Sequence, residues 1–516
     1  MNEKIQQLQG LLQEISDLNY ISSLLGWDQQ TYMPPGGAEA RGNQLALIER
    51  LAHERGTSPE LGKLLEELKP LAATLEPDSD DACLIKVTAR DYDKATRVPS
   101  SHIVEFAQTT TLAQQAWVEA RQKSDFSIFR PHLEKIVALR QEYASFFPNF
   151  EHPYDALLDD FEPGMKTEDV KTIFDGIRPL QVELIRAIAS KPQVEDSFLR
   201  QSFDVTRQWS FGEEVITQFG YDWKRGRQDK AAHPFTTEFG INDVRITTRV
   251  DANYLNPMLF GTMHECGHAL YGQGVAPELE RTGLERGASL AVHESQSRLW
   301  ENLVGRSMPF WKHFYPRLQQ VFPQLSGIPL NKFYKGINKV HPSFIRVEAD
   351  EATYNLHIML RLEIEIALLE GKVLVKDLPE VWNAKMQEYL GVTPPNDAKG
   401  VLQDIHWSGG MIGYFSTYAL GNLISAQIWE KINQDMPDLN EQIRSGKFEA
   451  LLAWLREKIH RHGAKFEPQE LVQRVTGSKI DPAAYIRYLT KKFGDIYDLY
   501  KIRGAPHGSA SYYGGL

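Results

Sequence analysis

Cysteine is nearly missing from this chain: two residues in 516, Cys83 and Cys266. That excludes a disulfide framework, and the simple reading is a reducing compartment. Long apolar runs are missing as well. No stretch reaches the ~18 apolar residues that mark a membrane helix. The first residues, Met1-Asn2-Glu3-Lys4-Ile5-Gln6-Gln7-Leu8, are polar and helix-prone, unlike a charged-then-apolar signal peptide. Positive charge is in deficit: 57 basic residues against 68 acidic ones give a net charge of -11. A phosphate-binding surface is therefore disfavoured as the main business of the chain. Together these absences predict a soluble, cytoplasmic protein that binds neither nucleic acid nor membrane. No internal repeat, low-complexity segment or Gly/Ser linker divides the chain, which favours one mainly α-helical unit.

What the sequence does carry is helical periodicity. Ile5, Leu8, Leu11, Leu12, Ile15, Leu18, Ile21 and Leu25 form one apolar stripe. Further helices are expected at about 36–55, 59–73, 80–97, 101–123 and 130–146. Turn-rich breaks are expected at Trp27–Gly37 and from His152 to Gly164. Strand-like alternation is rare. Phe235–Phe239 and Val244–Val250, joined by Gly240-Ile241-Asn242-Asp243, read as a small hairpin. Its edge is a plausible place to hold an extended peptide. The residues from about Ile502 to Leu516 read as a loose tail.

Directly after the hairpin comes His264-Glu265-Cys266-Gly267-His268. Two histidines four apart share one helix face, so both imidazoles reach one metal ion. A catalytic zinc also needs a third protein ligand and an open position for water. The glutamate after the first histidine is then placed to take a proton from that water. The flanking residues (Met258, Leu259, Phe260, Met263, Ala269, Leu270, Tyr271) are apolar. A buried helix with two imidazoles and a carboxylate is costly unless something satisfies them, and a metal does so. Cys266, two positions from His264, points to another face and reads as a small core residue. For the third ligand the candidates are Glu278, Glu280, Glu285, His293, Glu294 and Glu301. Glu294 leads, because it sits near the apolar side of a helical stretch at 288–300, with His293 next.

The chain resembles the thermostable carboxypeptidase (carboxypeptidase Taq) family of zinc metallocarboxypeptidases. The matching segments run from about residue 20 to 495. They include Trp27-Asp28 with Met33-Pro34; His152-Pro153-Tyr154-Asp155; His233-Pro234-Phe235; Asp243 to Arg249; the two-histidine motif; His293-Glu294-Ser295-Gln296-Ser297; Ile345-Arg346 with Ala349-Asp350-Glu351; and Gly400 to Trp407. The resemblance implies that His264, His268 and Glu294 bind the metal and that Glu265 is the catalytic glutamate. It implies zinc, with cobalt able to substitute, and usually a homodimer. The implied activity is broad removal of single residues from peptide C-termini. The implied fold is a large helical two-lobed ellipsoid with a deep central groove, like that of angiotensin-converting enzyme and neurolysin. On that reading residues 1–501 form one catalytic unit, with helices of about 1–200 capping the groove and the zinc-site region at about 201–430.

Peptide hydrolysis also needs donors for the developing oxyanion and a grip on the terminal carboxylate. His406 and Tyr418 are the expected donors, with Tyr414 competing for the second role. Arg346 leads for the carboxylate, with Arg245 and Arg249 as alternatives; a structural ion pair with Glu348, Asp350 or Glu351 is the competing reading of Arg346. His233 and Phe235 are candidates to line the leaving-residue pocket, and Asp350 and Glu351 to orient ligands from behind. Two other functions fit the same motif: a metallo-oligoendopeptidase, and a non-catalytic peptide-binding protein with a structural zinc.

Overall fold

The computed structural model describes residues 3–499; the expected loose tail lies outside them. Twenty α-helices and one three-stranded sheet make up the described residues, so the chain is mainly α with a small sheet, as expected. The five early helices fall at Ala38–Gly56, Pro59–Ala72, Asp80–Arg97, Ser100–Lys123 and Phe126–Ser145, close to their expected bounds. Ser58 and Ser79 cap two of them by accepting hydrogen bonds from the backbone N–H of Leu61 and Ala82.

The first break is shorter than the sequence suggested. The first helix runs through Trp27 to Thr31, and only Tyr32–Gly37 leaves it. Nothing at 27–31 opposes a helix, whereas Pro34 disfavours helical backbone at Met33. Trp27 is buried and Thr31 Oγ1 donates to its carbonyl. The second break also contains a helix, Pro153–Leu158, closed by a capping box between His152 and Asp155.

Strands β1 (Gln228–Lys230), β2 (Thr236–Glu238) and β3 (Val244–Thr248) stack in the order β1-β3-β2. β2 and β3 form the expected hairpin, antiparallel, with Thr236 opposite Ile246. β1 pairs parallel to β3 and was not legible, since Gln228-Asp229-Lys230 has no apolar alternation. Tertiary bonds hold it instead. Gln228 Nε2 donates to Thr262 Oγ1 at 3.1 Å, and Arg227 and Tyr32 both donate to Asp229.

The motif helix, Asn256–Gly272, starts with Pro257 in its first turn and packs on β2 and β3. It is buried nearly all round, the mark of a core helix. Each of Met258, Leu259, Phe260, Met263 and Leu270 contributes about 1.5–3 kcal/mol by leaving water. That gain offsets the cost of taking Glu265 and two half-buried histidines into the same helix. Most buried apolar residues from Ala113 onward join one continuous core around this helix. The first helices form a smaller core of their own, including Leu8, Leu12, Leu65 and Leu84, which leans on Ile241, Val275, Leu279 and Leu284.

Candidate metal centre

His264, His268 and Glu294 converge with one ligand atom each, all within 4.8 Å of one another. Nε2 of His264 lies 3.5 Å from Glu294 Oε2, and Nε2 of His268 lies 3.4 Å from the same oxygen. Ligand bonds of about 2.0–2.1 Å at a tetrahedral angle put neighbouring donor atoms roughly 3.3–3.4 Å apart. The two nitrogen–oxygen spacings therefore fit a tetrahedral ion, and a two-nitrogen, one-oxygen donor set would leave a fourth position for water.

Glu294 comes from the helix Leu290–Arg298, capped by Ser289. Two glycines let its backbone come close. A Cβ on Gly267 would stand 2.6 Å from Gln296 O and from Ser297 Cα. A Cβ on Gly421, in the helix Ser416–Asp435, would stand 2.6 Å from Glu294 Cγ. Gly267→Val forces these helices apart, so it lowers stability by at least about 1–3 kcal/mol and loosens the ligand set. Thermal unfolding together with metal content of the purified variant checks this.

Two of the candidate ligands, His264 and Glu294, are held from behind. His264 Nδ1 meets Glu301 Oε2 at 2.9 Å, the carboxylate–histidine arrangement that keeps Nε2 free for a metal. Glu301 sits where the Glu294 helix widens into a π-helical turn, Leu299–Val304, an irregularity frequent at functional sites. Arg298 donates to Glu294 Oε1 at 2.7 Å and to Glu301 Oε2 at 3.2 Å. Burial opposes the charge on Glu294, but Arg298 and both histidines outweigh it and hold the carboxyl well below the usual range. Burial likewise opposes charge on Glu301, yet Arg298, His264 and Arg306 keep it ionised down to about pH 2. His264 shows the reverse balance: burial disfavours its cation, while Glu294 and Glu301 favour it and raise its pKa. A proton and a metal compete for one electron pair, so a field that favours imidazolium also favours a bound cation.

Glu265 is buried beside this cluster, and its Oε2 accepts from Thr236 Oγ1 on β2 at 2.7 Å. The edge strand thus orients the carboxylate. Cys266 is buried between the histidines, and burial pushes its thiol well above the ordinary value, as befits an inert core residue.

A second cluster lies close by. His406 and Tyr418 come together, Nε2 to hydroxyl at 3.4 Å, with Tyr414 against both rings. Burial, helped by Arg346 and Arg361 and opposed by Asp404, pushes His406 down to about 4. Burial and Tyr414 push the Tyr418 hydroxyl well up. At neutral pH both groups are uncharged hydrogen-bond donors. Tyr414 is near enough to feel the charge of Glu294. Arg346 stacks 4.9 Å from the Tyr418 ring, donates to Tyr354, and grips Asp404 through Nε and Nη2 at 3.0 and 2.8 Å. Its ion-pair partner is thus Asp404, 58 residues away, rather than Glu348, Asp350 or Glu351. Arg361 grips the other oxygen of the same carboxylate.

Burial opposes the charge of Asp404, but Arg361 and Arg346 outweigh it and hold the carboxyl well below its unfolded value. Its stabilising contribution is complete above the unfolded pKa of about 3.9 and is lost as pH falls toward the depressed folded value. Asp404→Asn leaves two buried guanidiniums without their anion, at a cost of about 3–5 kcal/mol. It also flattens the acid limb of the stability profile. Denaturant unfolding from pH 7 down to about pH 2 measures both effects.

The remaining expected residues are less central. Arg245 is pinned by both oxygens of Asp243 and lies between the rings of Trp27 and Phe239, which clamps the first helix onto the sheet. Arg249 and His233 are exposed. Glu280 accepts from Ile241 N–H, and Glu285 from Ser16 and Tyr20, so both are engaged away from the ligand cluster. Asp350 caps the backbone at Ala352 and Thr353, and Glu351 pairs with Lys492 and Tyr488; their bonding partners do not include the converging ligands. Sequence reasoning missed Arg298, Thr236 and Glu365. Arg298 follows Glu294 by four residues, a spacing that signals an ion pair on a helix. Glu365 had no such signal. It accepts from Tyr154, Trp407 Nε1 and Gly413 N–H, tying down the loop that carries His406, and burial lifts it to about 7.

Known proteins are similar to this chain over nearly its whole length. A family described as carboxypeptidase Taq (M32) metallopeptidase matches residues 7–493. Thermostable carboxypeptidase 1 of Thermus thermophilus is 41% identical over 502 residues, covering 95% of this chain and 98% of the relative. The crystal structure of an M32 carboxypeptidase from Deinococcus radiodurans has a TM-score of 0.93 at 41% identity, covering 96% of this chain and 100% of that one. The structure of Pyrococcus furiosus carboxypeptidase described as Apo-Mg has a TM-score of 0.93 at 38% identity, with 96% and 99% covered. With its helical body, its two-histidine helix and a match over nearly its whole length, the chain belongs to the carboxypeptidase Taq (M32) metallopeptidase family.

Proposed function

We propose that this metallocarboxypeptidase holds zinc on His264, His268 and Glu294 and removes single residues from peptide C-termini. The observation that carries the reading is a carboxylate oxygen 3.4–3.5 Å from two imidazole nitrogens, the separation a tetrahedral ion needs, beside a buried glutamate. Imidazole and carboxylate donors suit zinc, and cobalt accepts the same set. When bound, the ion supplies Lewis-acid polarisation of the scissile carbonyl and acidifies water at the open position. Glu265, oriented by Thr236, takes the proton from the attacking water and returns it to the leaving amine. His406 and Tyr418, neutral at working pH, donate to the oxyanion as it develops.

For the terminal carboxylate we favour Arg346. Arg346 and Arg361 share the single charge of Asp404, so the trio carries a net positive charge. Arg249 and His233 are the exposed alternatives, and the charge of Arg245 is matched one-to-one by Asp243. Two buried free cysteines support a cytoplasmic location. Homodimer formation rests on the family resemblance. We read residues 1–501 as one catalytic unit.

One peptide offered with a free and with an amidated C-terminus tests the activity. Stepwise loss of single residues from the free form alone supports the reading. Internal cuts in both forms would instead favour the oligoendopeptidase.

A further inference from the structure

The two metal histidines have unlike partners. His264 Nδ1 faces a carboxylate, Glu301. His268 Nδ1 faces the Nδ1 of another histidine, His293, at 3.2 Å. Two ring nitrogens at that distance divide the roles of donor and acceptor between them. Nε2 of His268 is the atom turned to Glu294 and the ligand cluster. Its lone pair is free for a metal only when the proton of His268 sits on Nδ1. His293 Nδ1 is then the acceptor, and the proton of His293 resides on its own Nε2. That nitrogen faces Glu238 Oε1 on β2, 3.7 Å away.

The His293 ring has little freedom to give this up. Tyr271 packs on it with ring centroids 4.6 Å apart. On Gly287 a Cβ would come within 2.4 Å of His293 Cδ2, so the absent side chain is what makes room for the imidazole.

We propose that His293 is a positioning residue: by accepting the Nδ1–H of His268 it fixes the tautomer and ring orientation in which His268 presents Nε2 to the metal. The proposal rests on the metal-centre reading above. Adjacent to Glu294 in sequence, His293 belongs to the same helix as the third ligand. One turn of helix thus supplies both a ligand and the group that aligns another ligand. A neutral partner also adds no further anion to a centre that already holds Glu294 and Glu301.

The test is the Zn2+ affinity of the apo-protein, measured by competition with a chromophoric chelator. His293→Leu removes the acceptor and weakens binding by about 10–100-fold, the usual cost of losing a ligand's supporting hydrogen bond. His293→Asn, whose side-chain oxygen can stand near the position of Nδ1, recovers most of that loss. Gly287→Ala, which displaces the ring while leaving His293 and all three ligands in the sequence, weakens binding as well, and it serves if His293→Leu does not fold. Wild-type affinity in His293→Leu or in Gly287→Ala overturns the proposal. So does an equal loss in His293→Leu and His293→Asn, which would mark a packing effect. His268→Ala separates this from failure of the metal centre itself: if it retains wild-type affinity, the ligand assignment falls. If His268→Ala releases the ion while His293→Leu keeps it, only the positioning role falls.

Discussion

Glu265→Gln lowers kcat on a C-terminally free peptide by about 10²–10⁴-fold, the range that a positioned general base contributes. The amide matches the carboxylate in shape, and its oxygen still accepts from Thr236 Oγ1, so packing around β2 and the motif helix stays as it is. What disappears is the ability to take a proton. Metal content and thermal stability of the variant therefore remain those of the wild type while turnover collapses. Steady-state kinetics alongside metal analysis checks both halves. A variant that hydrolyses peptides at the wild-type rate removes Glu265 from the mechanism. One that loses its metal together with its activity shows that the carboxylate is needed to build the site.

Glu294→Ala takes away the oxygen that both histidine Nε2 atoms face. The expected result is loss of bound metal and fall of activity to background. Arg298 loses one partner but keeps Glu301, so the helix does not have to unfold. Chelation of the wild type gives the matching result without mutation. Activity disappears and returns when Zn2+ is added back. Metal binding also stabilises the folded state by mass action, by about 4 kcal/mol at a thousandfold excess over Kd. The melting temperature should drop on chelation and drop little further in Glu294→Ala. Peptide cleavage that survives complete removal of metal would overturn the centre.

Much of this was readable in the sequence because local periodicity carries it. The early helices follow a 3.6-residue apolar repeat, and the hairpin at 236–248 shows a period of two around the turn Gly240-Ile241-Asn242-Asp243. His264 and His268 are likewise a local signal, four apart on one face. What stayed hidden depends on contacts that sequence distance conceals. β1 is three polar residues held by partners elsewhere in the chain. Arg346 and Arg361 meet Asp404 from 58 and 43 residues away, and neither separation has a period. Glu301 is a candidate ligand in the sequence, but only the fold shows that it stands behind His264, 37 residues earlier, instead. Trp27–Thr31 was misjudged because its neighbours are turn formers, although no residue within it breaks a helix.

Where Gly267 sits, the main chain of the motif helix and the main chain of the Glu294 helix touch with no intervening side chain. A contact of that kind has one length, set by atomic radii, and no alternative rotamer can lengthen or shorten it. The separation of the two helices that carry His264, His268 and Glu294 therefore behaves as a fixed gauge.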